Sequence, residues 1–71
     1  MNQKLRHLRR LKELSQEDLA RAVGTTRQTI NAIEQGRIKR PKDELMLAIA
    51  DYFATPVQEI FYTPLVHRVA N

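Results

Sequence analysis

The sequence predicts an all-α domain built as a bundle of five short helices. Three observations carry this. Apolar residues recur at three- and four-residue spacing and never alternate with period two, so nothing indicates a strand. Glycine occurs only twice, at Gly24 and Gly36, and each follows a short helical pattern, where a helix end needs positive φ. Good N-capping residues, Ser15, Thr26 and Thr55, stand just ahead of the patterns that follow. The 71 residues make one small domain, with a stability on the order of 4–10 kcal/mol at ordinary per-residue values.

The first helix is expected at about residues 2–13, where Leu5, Leu8 and Leu11 repeat every three residues and Leu14 follows at the end. Ser15 with Asp18 three residues on reads as a shortened capping box. It opens a second helix at about 16–23, with Leu19, Ala20 and Val23 on its apolar side and Gly24 as its stop. Thr26 caps a third helix, about 27–35, which Gly36 ends. Pro41 blocks a continuous helix across the next linker. A fourth helix, about 42–54, shows Leu45, Ile49, Tyr52 and Phe53 on one face. Thr55-Pro56-Val57-Gln58 reads as a cap, a proline at the first helical position and an amide at the third, opening a fifth helix. Val57, Ile60 and Phe61 would close the bundle. Pro64 ends regular helix, so the chain divides into a domain at 1–62 and a tail at 63–71.

Charge is unevenly placed. Residues 1–42 carry eleven Lys/Arg against four acids, whereas residues 43–71 carry one arginine against four acids. A basic half of this kind suits a polyanion, though a solvated basic surface would look the same. There is no cysteine, hence no disulfide framework and no cysteine metal site. That fits a reducing cytosol, and a cytoplasmic protein is expected. No apolar run approaches the roughly 20 residues of a membrane span, so no membrane role is expected. The basic, amphipathic N-terminus MNQKLRHLRRLKEL lacks the apolar core of a signal peptide.

The third helix is capped at both ends yet poor in apolar residues. On a helical wheel Ile30, Ile33 and Thr26 cluster on one side, with Glu34 at the border of that face. Gln28, Asn31, Ala32 and Gln35 share the opposite side, within an arc of about 100°. This outer face is rich in amides and nearly uncharged. It suits either ordinary solvent or a DNA major groove. There, Gln and Asn match the N6/N7 edge of adenine, and Arg27 would fork onto guanine O6/N7.

The second and third helices, joined by Gly24-Thr25-Thr26, form a helix-turn-helix. From Leu14 to Pro41 the chain reads LSQEDLARAVGTTRQTINAIEQGRIKRP. It resembles the lambdoid-repressor and Cro type of helix-turn-helix family, also called xenobiotic-response-element-like, over about residues 4–61. The resemblance implies a five-helix bundle of the lambda-repressor-like DNA-binding type. The implied function is a sequence-specific double-stranded DNA-binding transcriptional regulator, a repressor, working as a homodimer with no cofactor. It implies base contacts from Arg27, Gln28, Asn31 and Ala32. It implies phosphate contacts from Gln16, Thr26 and Gln35, and from Arg37, Lys39, Arg40 and Lys42 in the following loop. Arg9 and Glu34 match the family's ion pair, a structural tie between the first and third helices.

The chain departs from the family pattern in three ways. Glu13 stands where many members have glycine, which implies a tighter or helical first turn. Ala32 offers a base only a methyl group, suited to thymine. Asp43 fills a slot often held by leucine, and the Gly36–Pro41 loop is one residue longer than the commonest form.

Other function classes fit less well. His7 and His67 lie far apart, and the acids are scattered, so no catalytic or metal-binding constellation is indicated. Asp43 and Glu44 read better as negative charge at a helix N-terminus. RNA binding is disfavoured because the four aromatics, Tyr52, Phe53, Phe61 and Tyr62, lie in or beside the core helices. The rival is a protein-interaction module, as in antitoxins that use this fold to bind a partner protein. The tail, with Leu65, Val66 and Val69, would serve such a partner or a second copy equally well.

Overall fold

The computed structural model describes residues 2–61. Tyr62 and the tail expected at 63–71 lie outside them. The described residues form five helices and no strand: α1 (Gln3–Leu11), α2 (Gln16–Val23), α3 (Arg27–Gln35), α4 (Asp43–Tyr52) and α5 (Val57–Ile60). None is long and apolar enough to cross a membrane. Every helix sends residues to one core, in which Leu5, Leu19, Ile30, Ile33 and Ile49 are wholly buried and Phe53, Ile60 and Phe61 nearly so. Burying each such side chain contributes about 1.5–3 kcal/mol. α2 packs most extensively on α3; α4 packs on α2, and α5 packs on α4 and α1.

Four helices end the same way. After each comes a residue in the left-handed region: Glu13 (φ +56°), Gly24 (+79°), Gly36 (+86°) and Ala54 (+50°). The next N–H then turns back to a carbonyl five residues earlier. These bonds run from Leu14 to Arg9, Thr25 to Ala20, Arg37 to Ala32 and Thr55 to Ala50. This is the Schellman closure, which satisfies carbonyls that the helix leaves open. Two of the four positions carry glycine, and the other two hold an ordinary L-residue at a steric cost of roughly 1 kcal/mol.

The expected elements need several corrections. The first turn is not helical but is tightened, with the Lys12 and Glu13 N–H groups donating to the Arg9 and Arg10 carbonyls three residues back. Glu13 adopts the glycine conformation itself and ends α1 at Leu11, two residues early. Leu11 lies exposed at 66 %. A three-residue repeat falls about 60° behind the 100° wheel at each step, so the series Leu5, Leu8, Leu11 rotates off the core and Arg9 takes the buried place. On α4 the buried face is Met46, Ile49, Ala50 and Phe53, while Tyr52 stands exposed, its ring 5.8 Å from Lys12 Nζ. α5 is a single turn. Pro56 precedes it rather than opening it, and the Thr55 hydroxyl donates to the Phe53 carbonyl instead of capping.

Candidate nucleic-acid interface

The turn between α2 and α3 is set by local chemistry at both ends. Ser15 and Asp18 form a reciprocal capping box at the start of α2, with the Asp18 N–H donating to Ser15 Oγ (3.0 Å) and the Ser15 N–H to Asp18 Oδ2 (3.2 Å). The Ser15 backbone donor foremost holds the Asp18 carboxyl below the usual carboxylate range. At the far end of α2 a Cβ built on Gly24 would meet nothing within 4 Å. Glycine is therefore required there for its backbone conformation rather than for space. Thr26 then caps α3, its Oγ1 accepting from the Thr29 N–H at 3.2 Å.

These caps fix which side of α3 faces out. Ile30, Ile33 and Glu34 are buried, and Glu34 is deeper than the border position expected of it. Arg27, Gln28 and Gln35 are exposed, as is Thr26 at the helix start, while Asn31 and Ala32 are half-buried. The residues expected at bases thus share the outer face. Arg27 and Gln28 project at its N-terminal end, and Asn31 sits closer to α2.

Beneath that face lies a connected polar network. Arg9 forks onto Glu34, with Nε 2.7 Å from Oε2 and Nη2 3.0 Å from Oε1. Its third nitrogen, Nη1, donates to the Leu14 carbonyl at 2.8 Å and braces the end of α1. The Glu34 side chain is fully buried and that of Arg9 is 11 % exposed. Burial alone pushes the Glu34 carboxyl up. Hydrogen bonds from Arg9 and Gln16, with the charges of Arg9 and Arg6, outweigh it and hold the group below the usual range. The same hydrogen bond raises Arg9 against its own desolvation.

Gln16 extends the network to the outer face. Its Nε2 donates to Glu34 Oε1 and to Asn31 Oδ1, each at 3.1 Å. Both amide N–H bonds therefore point into the protein. The donors that remain at the start of α2 are the main-chain N–H groups of Gln16 and Glu17, which a helix leaves unpaired. Glu17 in the same turn pairs with Arg21 at 3.3 Å.

The loop after α3 holds its cations outward by anchoring two apolar residues. Ile38 packs partly on the core and Pro41 is buried, while Arg37, Lys39, Arg40 and Lys42 are exposed. The Ala32 carbonyl accepts the N–H of both Arg37 and Ile38, which sets the direction in which the chain leaves α3. Arg40 Nη2 lies 3.7 Å from Asp43 Oδ1, so one of the four cations already has an acidic neighbour.

Sequence reasoning passed over Asn2. Its Oδ1 caps α1 by accepting from the Leu5 N–H, and its Nδ2 donates to the Ile60 carbonyl at 3.0 Å. Its own N–H reaches the Glu34 carbonyl, also at 3.0 Å. One residue thus ties α1, α3 and α5 together. An asparagine just ahead of an amphipathic run was the available signal.

The sequence matches a known family along most of its length. The sequence profile of the helix-turn-helix family matches residues 5–60. An uncharacterized HTH-type transcriptional regulator of Methanocaldococcus jannaschii is 44 % identical over 61 residues, covering 86 % of this chain and 91 % of that protein. With the two-helix unit, its left-handed glycine turn and the amide-bearing outer face in place, the chain belongs to the lambda-repressor/Cro-like helix-turn-helix family, a family of DNA-binding transcription regulators.

Proposed function

We propose that the protein is a sequence-specific double-stranded DNA-binding repressor that lays α3 in the major groove. The observation that supports this best is the outer face of α3, where Arg27, Gln28 and Gln35 are exposed and the exposed cations Arg37, Lys39, Arg40 and Lys42 follow at its end. Arg27, Gln28, Asn31 and Ala32 face bases in this reading. Thr26, Gln35 and the four loop cations grip phosphates and set register rather than sequence preference. The phosphate at the start of α2 is held by main-chain N–H groups of the helix N-terminus, with Gln16 behind them.

Two copies bind together, through α5 and the tail, because one recognition helix spans few base pairs. Such motifs gain affinity from two half-sites about 34–36 Å apart. Repression follows by occupancy: a dimer covering a promoter excludes the transcription machinery from it. Selection of bound sequences from random duplex DNA tests the reading. A motif of two related half-sites supports it, and a pool that stays random after repeated rounds refutes it.

A further inference from the structure

The side chain of an amide is a polar object with two ends, and this fold fixes which end of Asn31 faces out. Ionised Glu34 only accepts hydrogen bonds. Gln16 must therefore turn its NH2 group, not its carbonyl, toward Glu34 Oε1. The second hydrogen on the same nitrogen then lies against Asn31, which must answer with Oδ1. Asn31 Nδ2 is left outward, and among the described residues no protein group accepts from it. The chain of dependence runs Arg9 to Glu34 to Gln16 to Asn31, from the core to the outer face of α3.

We propose that this relay makes Asn31 a fixed hydrogen-bond donor, so that the base it meets must present an acceptor in the major groove and cytosine is rejected there. Adenine and guanine offer N7, guanine adds O6 and thymine offers O4, whereas cytosine offers only its N4 amino group. A free asparagine would rotate about its terminal bond and accept from that amino group. One held by Gln16 loses a hydrogen bond when it does so. Gln16 is thus a positioning residue for base selection. The inference rests on the regulator reading above and adds to it an excluded base.

The test uses the full chain with Gln16→Leu and Gln16→Glu. Leucine removes the relay while leaving the Arg9–Glu34 pair intact. Glutamate reverses it. Protonated, it donates to Glu34 and offers Asn31 a carbonyl; ionised, it offers only acceptors. Either way Asn31 turns its Nδ2 inward and its Oδ1 outward. Each protein is titrated on four duplexes that differ only at the base whose preference Asn31→Ala abolishes. The parent should bind the cytosine duplex about ten-fold more weakly than the best one, the size of a lost specific base contact. Gln16→Leu should shrink that ratio to within about three-fold, and Gln16→Glu should make cytosine the favoured base. Any loss of phosphate grip is common to all four duplexes and cancels in the ratio. Parent-like ratios in both variants overturn the relay. If the parent itself discriminates among no duplexes, the regulator reading falls. The relay is then judged on the free protein by NMR. Gln16 side-chain amide protons should exchange with water more slowly than those of exposed Gln28, and equal rates overturn it.

Discussion

Replacing Glu34 with alanine should come close to unfolding the protein. The carboxylate is fully buried, accepts three hydrogen bonds from Arg9 and Gln16, and leaves Arg9 only 11 % exposed. Its removal leaves the largely buried Arg9 guanidinium without its countercharge and opens a cavity beside it. Breaking one side of a buried pair costs about 3–5 kcal/mol. A domain of this length holds only about 4–10 kcal/mol in total. At about 4–8 °C per kcal/mol for a small domain, the melting temperature should fall by roughly 12–40 °C.

Thermal unfolding followed by far-ultraviolet circular dichroism measures this, with urea titration as the isothermal check. A variant that melts within a few degrees of the parent but loses DNA binding would refute the argument, since the pair would then belong to the interface rather than the core. Acid gives an independent reading. Glu34 is held below the ordinary carboxylate value of about 4.3. Its contribution is therefore complete above that range and disappears as pH falls through the lower folded-state value. The parent should lose stability on acidification with a steepness that Glu34→Ala lacks.

The other predictions concern helix ends and the outer face. Glu13→Gly and Ala54→Gly should each stabilise the protein by about 0.5–1 kcal/mol, because both positions lie at positive φ and relief of strain exceeds the added chain entropy; a lower urea midpoint for both would contradict this. Gly24→Ala should cost about 1 kcal/mol although space for the methyl exists, and an unchanged melting temperature would show that φ does not matter there. Gln28→Ala should lose about 1–3 kcal/mol at one base position, whereas Lys39→Ala or Arg40→Ala should weaken binding to all duplexes and flatten the salt dependence by about one unit per lost contact. Titrations on selected and scrambled duplexes at several salt concentrations separate the two, with Gln35→Ala as a control that alters affinity modestly and preference not at all.

Most of the fold was legible because its punctuation is local. Ser15, Thr26, Gly24 and Gly36 act through neighbours three to five residues away, so α2 and α3 match the expected bounds. Helix ends closed by Glu13 and Ala54 were not legible from those residues themselves, because neither prefers positive φ; the family's glycine at the Glu13 position was the available signal. The exposure of Leu11 and Tyr52 was missed for a different reason. A short helix tolerates several apolar phases, and which one is buried depends on the partner helix. The outer face of α3 followed from the wheel alone. The inward turn of Gln16 did not, because it depends on a carboxylate 18 residues away in the chain.

The buried pair raises a question of its own. Apolar side chains of similar volume can replace a buried ion pair with equal or greater stability, by about 1–4 kcal/mol in favourable cases. Stability therefore does not explain why Arg9 and Glu34 are ionic. Orientation does: only an acceptor-only group at position 34 dictates the direction of the Gln16 amide, and through it that of Asn31. The double variant Arg9→Met/Glu34→Leu separates the two roles. It should melt near the parent, well above Glu34→Ala, because neither buried charge is left alone. It should also bind DNA, since Arg27, Gln28 and the loop cations are untouched. At the base facing Asn31, however, the rejection of cytosine should weaken, because Gln16 no longer meets a carboxylate and its amide turns either way. A double variant that is stable and still rejects cytosine as the parent does would assign the pair to packing alone.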